Sequence, residues 1–426
     1  MRIVIAGLGT VGAAVIRTLE AERALIASRA GADITVVGVS ARDRTRDRGV
    51  DLSTIAWWED PVAMAGDPGS DVVVELVGGA DGAARAIATA ALARGASLVT
   101  ANKALLAKHG LELATLAERT GGRIAYEAAV AGGIPVVKML REGLSANRVD
   151  ALLGILNGTC NYILTEMRLT GRAFDDVLRE AQALGYAEAD PTTDVDGHDA
   201  AHKLALLASA AFGTRLDLEA LSIDGIRHVS PVDIEYASQL GYRIKLLAIA
   251  RRTPRGVEQR VEACMVPESN PLATIEGVTN ALVIEAEPVG TVVASGPGAG
   301  GGATASAVVA DLVDLARGRT APMFGRPVAE LEPLVISSTD DHVGAYYLRL
   351  MVIDRPGVIA GIALALGENG VSIGSVIQRG RDPEEVVPVV MVTHDTEERA
   401  IRRALDDIAR LDAVVEPPRL LRIESL

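Results

Sequence analysis

Aromatic side chains are scarce in this chain: Phe, Trp and Tyr together make up 3% of 426 residues. That excludes an aromatic-rich β-sandwich core and leaves the packing to Ala, Val, Leu and Ile. Cysteine is rarer still. Two residues, Cys160 and Cys264, supply neither a disulfide framework nor metal-ligand spacing, which fits a reduced, cytoplasmic setting. No uninterrupted apolar run reaches about 18 residues, so no membrane span is expected. A basic cluster is missing too. With 42 Lys and Arg against 56 Asp and Glu, the net charge is −14, which argues against a nucleic-acid footprint and points to solubility. The N-terminus has one charge and then an apolar run. Gly7, Gly9 and Gly12 break that run, so it predicts strand, turn and helix rather than a signal peptide.

What is present is enough for several cores. Apolar residues reach 49%, and the length implies two or three domains. The first 130 residues alternate short β-branched runs with Ala/Leu helical patterns. Strands are predicted at 3–6, 34–39, 72–76 and 98–100, and helices at 11–22, 83–94 and 111–119. That βαβ rhythm predicts a parallel, doubly wound sheet with ligands at the carboxyl ends of its strands. From 131 to 303 the rhythm changes to an α+β unit. It has helices at 174–184 and 199–212, ended by Gly185 and Gly213, and strands at 242–250 and 278–287. The stretch 295–304, SGPGAGGGAT, is too glycine-rich to be regular; a helix follows at 305–317, and 304–330 is a candidate to return to the first domain. Residues 335–344 form the best linker. Beyond it, 345–426 predicts βαββαβ, a ferredoxin-like unit. Its second helix, 395–411, is opened by Asp395 with Glu398 three residues on, a capping-box pattern.

Gly7-Leu8-Gly9-Thr10-Val11-Gly12 lies between the first strand and helix. Gly7 permits the tight turn, Gly9 lets backbone approach a pyrophosphate, and Gly12 lets helix and strand pack closely. The helix start then offers free N–H groups to the phosphates. At the end of the second strand, an acid would hold a ribose 2′-OH. Here Ser40 stands in that place, with Arg42 and Arg44 able to meet a 2′-phosphate. This favours NADPH over NADH, although arginines in such a loop are commonly just solvated. Lys103 follows the strand at 98–100 on the ligand edge.

The run 185–203, GYAEADPTTDVDGHDAAHK, carries the densest chemistry. Asp199 and Lys203 are one helical turn apart. Such i,i+4 pairs are common on solvated helices and stabilise them by only about 0.2–0.5 kcal/mol. Here the other helix positions are nearly all apolar, so the helix is expected to be buried with its polar face lining a site. Lys203 could then move a proton, Asp199 position a substrate hydroxyl, and Glu188 bind an ammonium. Two metal readings compete. His198 and His202 imitate a zinc-protease HExxH with Asp for Glu, but no third ligand follows. Asp194 and Asp196 hint at a calcium loop, but glycine falls at position 4 rather than 6.

Taken together, GLGTVG, Asn102–Leu105, YEAAVAGG at 126–133, GILNGTCNYIL at 154–164, the 185–203 run and SGPGAG at 295–300 resemble homoserine dehydrogenase, in matching order. The 345–426 unit is similar to an ACT regulatory domain. The resemblance implies a Rossmann-type dinucleotide domain at 1–130, a substrate and dimerisation domain at 131–303, and an ACT domain at 345–426. It further implies NAD(P)-dependent interconversion of L-homoserine and L-aspartate 4-semialdehyde, on the way to threonine and methionine. By that resemblance Lys203 would be the acid/base at the C4 oxygen and Asp199 would orient substrate. Glu188 would bind homoserine with Asp194 nearby, and Lys103 would bind the substrate or nicotinamide end. Gly7, Gly9, Thr10, Val11, Gly12, Ser40, Arg42, Arg44, Gly185 and Gly300 would border the cofactor. A monovalent cation, usually Na⁺, would sit on Glu127, Val130, Gly132 and Ile134, mostly through main-chain carbonyls that a sequence does not reveal. Cys160 stands where the family often has Thr. With no aspartate-kinase portion ahead of it, the chain is expected to be monofunctional, a homodimer or homotetramer. Threonine is a natural effector at Asp354-Arg355-Pro356-Gly357. The alternative is a catalytically inactive nucleotide-binding amino-acid sensor.

Overall fold

The computed structural model describes residues 1–319, 321–378 and 385–425. Residues 320, 379–384 and 426, which fall within the 304–330 and 345–426 stretches, lie outside the described residues. Among the described residues, six parallel strands make the first sheet. In spatial order they are Ala56–Trp57, Thr35–Ser40, Arg2–Ala6, Val72–Glu75, Ser97–Thr100 and Ile124–Ala125. This is the doubly wound order, and the direction of travel reverses between Arg2–Ala6 and Val72–Glu75, where such sheets open a crevice. The four residues Val72–Glu75 are all buried, as expected of a strand covered on both faces. Helix Thr10–Ala21 packs Ala14, Val15 and Ile16 into the same core as Ala305, Val308 and Leu312 of helix Gly301–Ala316. The later helix therefore closes over the first domain.

Among the described residues the second sheet has eleven strands, nine along one path and two short ones beside it, Ser222–Ile223 on Gly256–Pro267 and Thr396–Glu397 on Val343–Ile353. Gly290–Pro297 lies at one edge, followed by Thr279–Glu287, Arg148–Ile155, Tyr242–Thr253 and Gly256–Pro267. The sheet then crosses into the C-terminal unit through Arg419–Ile423, Val343–Ile353, Val386–Thr393 and Ile373–Gln378. The last four strands have the 4-1-3-2 order of a ferredoxin-like fold, with helices Val358–Glu368 and Glu398–Ile408 packed against one another. The crossing point is narrow. Among the described residues only Cys264 and Met265 pair with Arg422 and Ile423, and the Glu424 N–H donates to the Met265 carbonyl at 2.8 Å. A buried charge cluster reinforces it. Arg260 is 0% exposed and pairs with Glu258, Glu262 (2.7 Å) and Glu424, while Arg422 pairs with Glu262 and Glu398.

Four sequence expectations need correction. The helix expected at 111–119 runs Lys103–Thr120, because Asn102 caps it by accepting the Leu105 N–H at 3.1 Å. The segment 295–304 is largely regular: Gly290–Pro297 is a strand, and a helix starts at Gly301. Backbone pairing with Thr279–Glu287 needs no side chains. The 335–344 linker is pinned, with the Val257 N–H donating to the Val335 carbonyl and the Ser337 N–H to the Val257 carbonyl. The capping box at Asp395 does not form. The helix begins at Glu398 after Glu397, without a side-chain cap, since the buried Glu398 carboxylate is taken by Arg422 and Arg402.

Candidate active site

A cleft of about 530 Å³ lies where the two sheets meet, and Val11, Lys103, Gly132, Asp194, Asp199, Lys203 and Gly300 all line it. The glycine loop behaves as its chemistry requires. Gly7 is left-handed (φ +102°), and a Cβ there would lie 2.5 Å from the Leu76 carbonyl oxygen. A Cβ on Gly12 would lie 2.1 Å from the Gly7 oxygen. A Cβ on Gly9 would meet nothing within 4 Å, leaving open space at the helix start. The first helical bond is from the Ala13 N–H to the Gly9 carbonyl, so the N–H groups of Thr10, Val11 and Gly12 remain without intrahelical partners. Ser40 is buried, and its carbonyl accepts from the Gly7 N–H at 2.9 Å. Arg42 and Arg44 are exposed. Arg44 lies 5.9 Å and Arg48 5.7 Å from the Trp57 ring centre. Arg48, which the sequence did not single out, also donates to the Leu8 carbonyl at 3.0 Å.

The catalytic candidates sit deeper. Helix His198–Phe212 buries an almost continuous apolar surface and points Asp199 and Lys203 at the cleft. The Lys203 ammonium donates to Asp199 Oδ2 at 2.7 Å and to the Leu156 carbonyl at 2.7 Å, which leaves its third N–H. Lys103 Nζ lies 3.1 Å from Asp199 Oδ1. Burial works against the Asp199 charge, but Lys203 and Lys103 outweigh it and hold the carboxyl well below its usual range. The neighbouring Asp199 carboxylate in turn raises Lys103. Asp194 is pushed up by burial, against a lowering hydrogen bond from Asn157. Glu188 stands on the rim: it is exposed and outside the cleft wall, though its charge also contributes to raising Lys103. Gly185 lines the cleft in the left-handed conformation (φ +76°).

Asn157, in the 154–164 segment, joins the site without being singled out by the sequence. Its Oδ1 accepts the Cys160 N–H at 2.8 Å and so caps helix Gly158–Thr170, while its Nδ2 donates to Asp194 at 2.8 Å and Asp199 at 2.9 Å. Asn before Gly at a helix start was the available signal. Cys160 is buried, and its thiol donates to the Asp194 carbonyl at 3.2 Å.

The loop after the first sheet carries several oxygen donors. The Glu127 carboxylate accepts the Val137 and Lys138 N–H groups at 2.8 and 2.9 Å. Burial and the nearby Asp311 raise Glu127 to about 7. Ala131 and Gly132 follow with φ +54° each, a tight left-handed turn just after Val130 and before Ile134. One carboxylate with main-chain carbonyls suits a hard cation. Among the described residues, no group of three or more His, Cys, Asp or Glu is placed to hold a metal ion. The Asp194–Gly197 stretch is not a calcium loop, because Thr192–Val195 is helical and Asp196 pairs with Arg227. Among the described residues, no helix is long and apolar enough to cross a membrane.

Comparison with known proteins agrees with this geometry. A homoserine dehydrogenase NAD-binding profile matches residues 7–127, a homoserine dehydrogenase profile 135–313, and an ACT profile 346–413. The homoserine dehydrogenase of Pseudomonas aeruginosa is 45% identical, with all of this chain and 99% of that one covered. The crystal structure of a homoserine dehydrogenase from Thiobacillus denitrificans superposes with a TM-score of 0.94 at 42% identity, over 100% of this chain and 98% of that one. A hyperthermophilic archaeal homoserine dehydrogenase in complex with NADPH reaches a TM-score of 0.64 at 27% identity, over 76% of this chain and 99% of that one. The chain belongs to the homoserine dehydrogenase family.

Proposed function

We propose that the cleft interconverts L-homoserine and L-aspartate 4-semialdehyde with a nicotinamide dinucleotide, and that Lys203 is its acid/base. The observation that carries this is the buried Lys203–Asp199 pair, with the half-buried Lys103 beside it, facing the same cavity as the glycine-loop helix. The bound cofactor supplies a hydride acceptor or donor. Lys203 moves the proton at the substrate C4 oxygen through the N–H that Asp199 and Leu156 leave unused. Asp199, kept ionised, fixes that ammonium and holds Lys103 beside it. Asp194 and Glu188 take the substrate ammonium, and Lys103 takes a substrate or cofactor anion. Such positioning by charge in a water-poor site is where electrostatic stabilisation acts most strongly.

Arg42 and Arg44, with Arg48 behind them, favour the 2′-phosphate of NADPH. Na⁺ would rest on Glu127, Val130, Gly132 and Ile134. The Asp354–Gly357 loop would take threonine as effector; Gly357 is left-handed (φ +93°) ahead of helix Val358–Glu368. A homodimer or homotetramer would cover the exposed apolar positions Ile359, Leu364 and Val376 of the ACT unit and Val293 of the edge strand. The inactive-sensor alternative has no support in a site whose acid and base are both in place. Initial rates of homoserine oxidation with NAD⁺ and NADP⁺, with and without threonine, test the proposal. Turnover favouring NADP⁺ and falling with threonine is expected. Absent turnover with both cofactors would refute the catalytic assignment.

A further inference from the structure

Asn280 is 1% exposed and sits in strand Thr279–Glu287, yet neither its Nδ2 nor its Oδ1 has a hydrogen-bond partner among the described residues. Buried amides without partners are rare and call for an explanation. This one lines the cleft that holds Lys203. The surrounding backbone makes room for it. A Cβ on Gly298 would lie 2.0 Å from Asn280 Cγ, and one on Gly158 would lie 3.5 Å from its Oδ1. The amide therefore occupies space that two glycines leave open, with two donors and an acceptor oxygen unused.

We propose that Asn280 is a cofactor-binding residue that pairs with the nicotinamide carboxamide, which rests on the nucleotide assignment of this cleft. The chemistry selects that partner. A primary carboxamide is planar, neutral and carries donor and acceptor side by side, so an asparagine amide can meet it with two hydrogen bonds at once. The substrate's amino-acid end offers an ammonium, which only donates, and a carboxylate, which only accepts. The charged groups Asp194, Asp199 and Lys103 already stand nearby for those. Holding the carboxamide would fix which face of the nicotinamide ring turns towards Lys203, making Asn280 a determinant of hydride geometry as well as of affinity.

The test uses the full chain, Asn280→Leu, and the 3-acetylpyridine analogue of the cofactor, in which a methyl ketone replaces the carboxamide. Leucine fills a similar volume without polar atoms, so the ligand-free melting temperature should hold or rise. The cofactor dissociation constant, read by fluorescence, should rise about tenfold, the equivalent of about 1.4 kcal/mol. The KM for homoserine should stay within twofold. The wild type should discriminate between the natural cofactor and the analogue, and the variant should lose that discrimination. Discrimination retained in Asn280→Leu, or a rise confined to the homoserine KM, would overturn the assignment. So would a lower melting temperature with unchanged cofactor affinity, the mark of a purely structural amide. Failure of the wild type to bind either cofactor would instead overturn the nucleotide assignment of the cleft, and this one with it.

Discussion

Replacing Asn157 by Asp separates the two jobs of one side chain. Asn157 Oδ1 accepts the Cys160 N–H, so the amide cannot flip, and Nδ2 must donate to both Asp194 and Asp199. Aspartate keeps the capping oxygen, and as a cap it is nearly as good as asparagine. It deletes both donors and turns a third carboxylate towards two others. Hydrogen bonds to charged groups contribute about 1.5–3 kcal/mol each. If the transition state depends on one of the two, kcat/KM should fall about 10- to 150-fold. Three crowded carboxylates also share a proton more readily, so the acid limb of the pH profile should move up by roughly one unit or more. The melting temperature should move little, because the helix cap persists. Homoserine oxidation followed across pH, beside a thermal melt, reads all three. A variant with wild-type rates and an unmoved acid limb would reduce Asn157 to a helix cap and refute the positioning role.

Lys203→Met should lower turnover about 10²–10⁴-fold while cofactor affinity persists; near-normal turnover would remove Lys203 as the acid/base. Arg260→Leu leaves Glu258, Glu262 and Glu424 facing one another in a buried site, and should cost about 3–5 kcal/mol in urea unfolding. A loss below about 1 kcal/mol would show that the cluster relaxes into water. Lys245 is 4% exposed, and burial lowers its ammonium to about 8. Because its unfolded value is about 10.4, the unfolded chain binds more protons between those limits and stability should rise with pH there, by at most about 3 kcal/mol. Lys245→Met should flatten that rise between about pH 7.5 and about pH 9.5, and equal slopes for the two proteins would refute it.

The parts most legible in the sequence were those where local chemistry and fold agree. Gly7 and Gly12 each have a steric task that no other residue performs, and the structure shows both, while Gly9 leaves open space at the helix start. The Asp199–Lys203 spacing was readable because the apolar residues around it left one polar face to explain. Other features arise from contacts distant in sequence. The Asn157 amide meets Asp194 and Asp199, 37 and 42 residues away. Asn280 looks like any strand residue until Gly298 and Gly158 are brought beside it. Glu398 read as a helix cap because nothing local announced Arg422, 24 residues on. Sheet edges and crossings were similarly hidden: the sequence predicted a linker at 335–344, but not its backbone bonds to Val257.

The shared eleven-stranded sheet means that the C-terminal unit is not a detachable module. Cutting the chain before residue 345 would strip Arg419–Ile423 from Gly256–Pro267 and leave that strand with an open edge where it now pairs with Arg422 and Ile423. It would also remove Glu424, one of the carboxylates holding the fully buried Arg260, along with Arg422, which pairs with Glu262. An exposed edge beside stranded charges invites self-association. A truncation meant to remove the ACT unit would therefore report first on aggregation. Testing the proposed effector site calls for point changes in the 354–357 loop, with the last strand left in place.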